Sequence, residues 1–136
     1  MDMRQFAHDH REILQQLDQL EASLSADLGD EARMLGEHLL RLGARIRLHL
    51  VIEDRFLYPI LVTAPHRPTA TLALQMAEEM NHLSSEFSTF LSKYDCPSAI
   101  NQDPPSFQRE CRNMIKALRT RIRREDRELY PLAANI

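Results

Sequence analysis

The chain contains few of the residues that break helices or cross-link small folds. Its 136 residues include 3 glycines, 7 prolines and 2 cysteines, and tryptophan is absent. Because most prolines lie in or beside proposed loops and helix ends, long stretches contain no breaker, which favours helices. Cys96 and Cys111 lack metal-ligand or redox spacing, and two cysteines in a chain of this size do not suggest a disulfide framework. A reducing cytoplasm fits this cysteine usage best.

The chain also lacks long apolar runs and a strong excess of charge. No uninterrupted apolar run approaches the ~20 residues that span a bilayer, and the amphipathic start has no apolar signal segment. We therefore expect a soluble, unsecreted protein with no membrane partner. The formal net charge of -3 gives no basis for a polyanion-binding surface, although Arg119 to Arg127 form a local basic run. We expect no nucleic-acid partner, and a protein partner or a homodimer stays open.

Four amphipathic segments predict an all-α fold. They cover residues 3–27, 31–61, 69–94 and 106–130, and apolar residues recur in each at spacings of three and four. Period-two alternation, which would indicate strands, is absent. With short or moderate joins, the simplest solution is one domain, residues 1–136, folded as an antiparallel up-down-up-down four-helix bundle.

One stretch of the sequence occurs twice. His49 to Pro59 reads HLVIEDRFLYP, and Arg121 to Pro131, 72 residues later, reads RIRREDRELYP. The change with chemical weight is His49 against Arg121, since a candidate metal ligand becomes a fixed positive charge. The first and third segments correspond at an offset of 70 residues, so the chain reads as two helical hairpins of similar design.

Polar residues interrupt the apolar stripes at positions suited to a metal ion. On a helix, His49 and Glu53 share one face about one turn, or ~6 Å, apart, so both can reach one cation. His10 lies inside the stripe of the first segment, and Glu125 is the counterpart of Glu53 in the second copy. When facing helices each add a ligand, a bundle interior can hold a two-metal site of carboxylates and histidines. Taken alone, a histidine on a helical stripe, such as His10, is more often a hydrogen-bonded core residue than a metal ligand.

These residues carry a resemblance to a known family. His10 within Asp-His-Arg-Glu-Ile, the pair His49 and Glu53, and Glu125 resemble the pattern of hemerythrin-like, or HHE cation-binding, proteins over nearly the whole chain. The resemblance implies a four-helix bundle with a non-haem di-iron centre. It also implies oxygen binding, or sensing of oxygen, iron or nitric oxide.

The chain departs from this family pattern in its second hairpin. The family's fourth helix repeats the HxxxE pair, whereas here Arg121 replaces the histidine, and the third-helix histidine falls on Met80. His82 lies two residues further, about 200° around a helix, and reaches the centre only in a different register, with Glu86 as its partner. We therefore expect no full di-iron centre, and either no cofactor or a single iron or zinc ion.

Two arrangements of the site stay open. In the first, Arg121 points inward and forms a buried salt bridge with Glu53 and Glu125 that replaces the metal, because buried charges need partners. In the second, the chain binds iron or zinc in a mononuclear or altered di-iron site. The candidate ligands are His10, His49, Glu53, Glu125 and His82.

Each arrangement predicts a function. The first predicts a small non-enzymatic, regulatory member of a metal- or oxygen-sensing family with a degraded site. The second predicts a working metal-binding protein for sensing or storage. A di-iron oxidase is least favoured, because oxygen activation needs a fuller ligand set and open coordination positions. No catalytic residue is predicted, and Tyr58 and Tyr130 are expected to pack at helix ends.

Overall fold

A computed structural model of the chain describes residues 1–24 and 28–136, without the side chains of residues 28–30. The elements in chain order are α1 (Arg4–Ser23), α2 (Leu28–Phe56), α3 (Tyr58–Val62), α4 (Arg67–Lys93), α5 (Pro97–Gln102), α6 (Pro104–Arg124), a π-helical turn (Glu125–Leu129) and α7 (Tyr130–Ala134). No strand occurs within these described ranges, so the all-α prediction is confirmed. The predicted end of the first helix, at residues 25–27, lies outside the described residues.

Neighbouring long helices run in opposite directions. Between α1 and α2, Asp9 contacts His49 and Glu12 contacts Arg45, so the paired positions rise in one helix as they fall in the other. The side-chain contacts between α1 and α6 follow the same rule. α1 therefore packs antiparallel to both α2 and α6. None of the described helices is long and apolar enough to cross a membrane.

Two apolar clusters fill the interior on either side of a buried polar layer. The larger cluster contains Ile13, Leu17, Leu20, Leu24, Ala32, Leu35, Leu39, Leu42, Ile46, Phe87, Phe90, Tyr94, Ile100, Phe107, Cys111, Ile115, Leu118 and Ile122. The smaller one contains Phe6, Leu57, Tyr58, Leu61, Ala73, Met76, Leu129, Tyr130 and Ala133. Along their helices, His10, His49, Glu53 and Glu125 fall between the positions of the two clusters. The apolar packing thus holds these polar side chains away from water.

The two Tyr-Pro motifs end their helices differently. α2 stops at Phe56, and α3 begins at Tyr58 with its proline in the first turn, as proline's missing N–H and ring clash require. In the second copy the chain widens into the π turn, where the Tyr130 N–H donates to the Glu125 carbonyl. The prediction that the fourth helix ends at Tyr-Pro is wrong, since the wide turn admits Pro131 and helix continues to Ala134.

Two further details differ from the sequence prediction. The segment between the third and fourth predicted helices, rich in helix breakers, contains the short helix α5. Ile60, which would lie on the inward face of an unbroken helix over residues 31–61, is 42% exposed. The break after Phe56 explains this outcome, because a new helix starting at Tyr58 no longer follows the register of α2.

Gly36 and Gly43, both inside α2, differ in the space available for a side chain. An added Cβ would have no neighbour within 4 Å at Gly36, but would lie 2.9 Å from Leu91 Cδ1 at Gly43. Glycine in a helix interior costs roughly 0.5–1 kcal/mol relative to alanine. We expect Gly36→Ala to raise the free energy of unfolding by that amount and Gly43→Ala to raise it less or to lower it, because Leu91 must move. Chemical denaturation measures both, and equal gains would contradict the close approach of α2 to α4.

Candidate metal centre

Four buried side chains converge between the two apolar clusters. They are His10 from α1, His49 and Glu53 from α2, and Glu125 at the start of the π turn, and one ligand atom of each lies within 4.8 Å of all the others. Their exposed fractions are 0–4%. Imidazole nitrogens and carboxylate oxygens are ligands that iron and zinc accept. The donor set and its spacing therefore fit one metal ion.

Each histidine of this cluster faces one of its carboxylates. His49 Nε2 lies 3.5 Å from Glu53 Oε1, one helical turn away on α2. His10 Nε2 lies 3.3 Å from Glu125 Oε1, which reaches it from a different helix. Glu53 Oε1 is buried and has no hydrogen-bond partner among the described residues. An unpartnered buried carboxylate oxygen that faces the other donors is the atom a bound cation would satisfy.

A second pair of carboxylates holds the outer edges of the two imidazole rings. His10 Nδ1 donates to Asp126 Oδ1 at 2.6 Å, and His49 Nδ1 donates to Asp9 Oδ2 at 3.3 Å. Such contacts fix the ring orientation and direct Nε2 toward the centre, as around many metal-bound histidines. Sequence reasoning missed both aspartates. Two features of the sequence could have indicated them. Asp126 belongs to the repeated Glu-Asp-Arg, and Asp9 directly precedes His10.

Tyr130 lies at the middle of the cluster. Its hydroxyl donates to Glu53 Oε2 at 2.7 Å and lies 2.9 Å from His10 Nε2 and 3.3 Å from His49 Nε2. Burial, followed by the charges of Glu53 and Glu125, raises the pKa of Tyr130 well above its usual value. Tyr130 thus packs at a helix end, as expected, and its hydroxyl contacts three of the four candidate ligands.

Arg121 points inward but does not make the predicted contact with Glu53. Its Nη2 donates to the Tyr58 hydroxyl at 2.8 Å and to the Met76 carbonyl at 2.7 Å. Its Nε approaches Glu125 Oε2 only to 3.8 Å. Among the described residues no ion pair joins Arg121 to Glu53, whose carboxylate faces His49 and Tyr130 instead. The predicted three-membered salt bridge is corrected to a loose approach of Arg121 to Glu125.

Met80 and His82, the two residues considered for the third-helix position, differ in burial. Met80 is buried at 9% exposure and faces the interior, as the offset of the two hairpins indicates. The His82 side chain is 82% exposed and forms an outer ion pair with Glu86 at 2.8 Å. The alternative register for His82 is therefore not adopted, and His82 is not part of the buried cluster.

The two hairpins exchange equivalent contacts. Tyr58 of the first copy donates to Glu125 of the second at 3.1 Å, and Tyr130 of the second donates to Glu53 of the first at 2.7 Å. A second pair of equivalent contacts involves the acidic residues that directly precede His10 in α1 and Met80 in α4. Asp9 contacts His49, and Glu79, 70 residues later, lies 3.6 Å from Arg121. Both hairpins thus supply a glutamate to the centre. At the two histidine positions, however, the second hairpin has Met80 and Arg121.

Neighbouring carboxylates decide the protonation of the two histidines. Burial lowers the pKa of His49, but the nearby Glu53 carboxylate, together with the hydrogen bond to Asp9, outweighs burial and raises the pKa to about 9. Burial also acts against charging of His10, and Glu125 nonetheless raises its pKa. Without a metal, both rings therefore favour the protonated, ion-paired state.

The pKa values of the two buried carboxylates shift in opposite directions. Burial, followed by the charge of Glu125, raises the pKa of Glu53. Burial also opposes ionisation of Glu125, but His10 and Arg121 together lower its pKa. His10 and Arg121 therefore favour ionisation of Glu125, and burial makes Glu53 the weaker acid of the two.

Removal of the Tyr130 hydroxyl should destabilise the metal-free protein. In Tyr130→Phe, Glu53 Oε2 loses its donor inside the bundle, and an unmet buried polar group costs about 1–3 kcal/mol. The control is Tyr94→Phe, whose hydroxyl donates to the partly exposed Glu110, and which should cost less. Chemical denaturation with a chelator present measures both. Equal losses would contradict the central position of Tyr130.

The raised pKa of His49 makes the stability of the metal-free protein depend on pH. A histidine whose folded pKa exceeds its unfolded value contributes fully below the unfolded value of 6.5, and this contribution is lost as the pH rises through about 9. We expect the free energy of unfolding to fall across this interval. The fall should flatten in His49→Gln and persist in His82→Gln, which changes an exposed side chain. An unchanged slope in His49→Gln would refute the Glu53 pairing.

The family model described as the Hemerythrin HHE cation binding domain matches residues 1–133 of the chain. No curated protein and no solved structure matches it. The match covers all four members of the buried cluster, so the fold and the donor set point to the same kind of site.

Proposed function

Because the chain belongs to the hemerythrin HHE cation-binding domain family, we propose that it binds a single iron or zinc ion through His10, His49, Glu53 and Glu125. The observation that carries this proposal is the convergence of four buried donor atoms within 4.8 Å of one another. Two aspartates behind the histidines supply the outer contacts that metal-bound imidazoles usually have.

The residues present do not fit a second ion. At the positions that correspond to His10 and His49 in the second hairpin stand Met80 and Arg121. A guanidinium does not lose its proton at usable pH and donates hydrogen bonds only, so it cannot bind a metal and repels one nearby. We propose that Arg121 supplies, as a permanent charge, part of the positive charge that a second ion would provide, and so keeps Glu125 ionised.

The surroundings of the centre support a binding role rather than catalysis on an organic substrate. The cavity that touches His10, His49 and Glu125 measures about 20 Å³, which is space for one small ligand. An outer groove of about 480 Å³ passes over Asp9 and His49 but does not touch Glu53 or Glu125. We propose a non-enzymatic, regulatory protein whose metal occupancy is the signal. In this family context the signal would be iron or an oxygen-derived species.

A metal-free structural role is the second candidate, and one observation favours it. The Tyr130 hydroxyl contacts three of the four candidate ligands and so gives His10, His49 and Glu53 partners without any ion. With both histidines protonated, the cluster is a pair of buried ion pairs. In this case the protein would bind no metal ion, and the ion pairs would hold the centre of the bundle together.

Elemental analysis of protein purified without chelator separates the two candidates. We expect one equivalent of iron or zinc per chain, because one set of donors is complete, and two equivalents in the double variant Met80→His/Arg121→His, which restores the second set. Protein that is stable and free of metal would support the structural role, and two equivalents in the wild type would refute the assignment of Arg121.

Matched histidine variants connect the metal to the cluster. His49→Ala removes a buried donor and should reduce metal affinity by roughly 10- to 100-fold or more, since even outer contacts of metal ligands carry effects of that size. His82→Ala removes an exposed histidine from α4 and should leave one equivalent bound. Equal loss in both variants would place the metal outside the buried cluster.

A further inference from the structure

A row of exposed residues, apolar in its middle, runs along the outer side of α2, away from the candidate ligands. Its members are Glu37, Leu40, Ala44, Leu48, Val51 and Arg55. Spacings of three and four place them within ~80° around the helix and over ~27 Å along it. The three large apolar side chains, at positions 40, 48 and 51, are 66%, 63% and 52% exposed. This outer row therefore presents contiguous apolar surface to the solvent.

The second hairpin shows that the fold does not require apolar residues in such a row. By the 72-residue offset of the repeat, the equivalent positions of α6 and the π turn are Arg109, Arg112, Lys116, Thr120, Arg123 and Arg127. All of them are polar and exposed, as is usual on the solvent side of an amphipathic helix. The outer row of α2 departs from this pattern, and contiguous exposed apolar surface is typical of an interaction site.

The order of residues in the outer row of α2 matches its own reverse. A second copy of α2 can lie antiparallel to the first, with the two-fold axis at the height of residue 46. Each acid then faces a base, each branched apolar residue faces another, and each small residue faces a large one. The facing pairs are Glu37 with Arg55, Leu40 with Val51, and Ala44 with Leu48. Each pair occurs twice, as a two-fold interface between identical copies requires.

The shape of the surface agrees with this pairing. A groove of about 400 Å³ on the α4 side is lined by Leu40 and Ala44, and the groove of about 480 Å³ on the α1 side is lined by Ala44 and Leu48. Ala44, the smallest side chain of the row, borders both grooves and leaves a depression between them. A leucine of a second copy, directly opposite, fills this depression in the way that ridges of one helix pack into grooves of another.

The charges at the two ends of the row favour the same arrangement. Arg55 is exposed, and Glu37 makes only a long contact with Arg33, at 3.7 Å between two exposed side chains. An antiparallel second copy forms two ion pairs between positions 37 and 55, whereas a parallel copy brings like charges together at both ends. Arg41 and Arg47 lie beside the row, where long side chains can extend into water. Charge complementarity therefore selects the antiparallel orientation.

We propose that the outer row of α2 is a homodimer interface, in which α2 of two copies of this chain pack antiparallel about a two-fold axis. One pair of helices forms a small interface, so the dimer is reversible rather than obligate. The four candidate ligands point away from the row, so the interface does not rest on the metal centre. Dimer formation and metal binding can therefore be tested separately.

Sedimentation velocity of the full chain, measured over a wide range of concentrations, should show a monomer–dimer equilibrium. Leu48→Arg places a charge in the middle of the interface and should weaken the dimer by ~30-fold or more, the loss typical of a central interface residue. The matched control is Leu74→Arg, which changes a leucine that is 59% exposed on α4, outside the row. Its dimer dissociation constant should stay within ~3-fold of the wild type.

Charge variants test the orientation. Glu37→Arg and Arg55→Glu each place like charges at both ends of an antiparallel dimer and should each weaken it by ~10-fold. An equimolar mixture of the two variants should dimerise again, because their charges are opposite at every facing position. In a parallel dimer the single variants would bind no more weakly than the wild type. Circular dichroism checks that each variant keeps its helices, and if Leu48→Arg fails to fold, the charge variants decide.

Each outcome supports or overturns the proposal. A chain that stays monomeric at every concentration assigns the row to a different partner and overturns the homodimer. Equal weakening by Leu48→Arg and Leu74→Arg places the interface elsewhere. Single charge variants that dimerise as tightly as the wild type overturn the antiparallel pairing. A dimer that Leu48→Arg and each charge variant weaken, and that the mixture restores, supports it. Absence of metal from a protein that dimerises in this way would overturn the metal centre alone.

Discussion

Compensation of two buried carboxylates is the constraint on which the rest of the structure depends. Glu53 and Glu125 are 0% and 2% exposed and lie between two apolar clusters, where an isolated negative charge would be strongly unfavourable. Because the two carboxylates also lie close to each other, each depends on cationic or donor side chains: His49 and Tyr130 for Glu53, and His10, Tyr58 and, more distantly, Arg121 for Glu125. A metal ion would fulfil the same requirement. Because both carboxylates are almost fully shielded from bulk water, most of their compensation must come from the protein or from a bound ion.

The near two-fold relation of the hairpins explains how one fold accommodates two different halves. Each hairpin has three equivalent residues. They are a buried glutamate, a tyrosine that donates to the glutamate of the other hairpin, and an acidic residue of α1 or α4 that contacts His49 or Arg121. An acid serves equally well beside His49 and beside Arg121, because both present N–H donors to it. Replacement of a histidine by arginine therefore needs no change in its carboxylate neighbour. Asp54 shows the opposite case: it corresponds to Asp126, but the residue in the position of His10 is Met80, whose side chain has no N–H to donate.

This asymmetry bears on function through charge. A di-metal centre needs ligands in both halves, whereas here one half ends in a fixed guanidinium. Arg121 lowers the pKa of Glu125 and leaves one N–H without an acceptor beside a small cavity. A permanent cation beside one set of ligand side chains forms a centre different from a symmetric one. Binding of a single metal ion is the chemistry that we propose for such a centre.

The sequence by itself determined the helices, the bundle and the four buried donors, because helical periodicity and the HxxxE spacing are local properties of the chain. The repeat also identified Arg121 and Met80 as the departures. Tertiary structure alone decided what these side chains touch. Three contacts depend on distances between helices. Arg121 donates to Tyr58 rather than to Glu53, Tyr130 reaches three candidate ligands, and Asp9 and Asp126 hold the histidine rings. The π turn at Glu125 belongs here too, since a local proline rule predicted a helix end, and only packing against the rest of the bundle selects the wider turn.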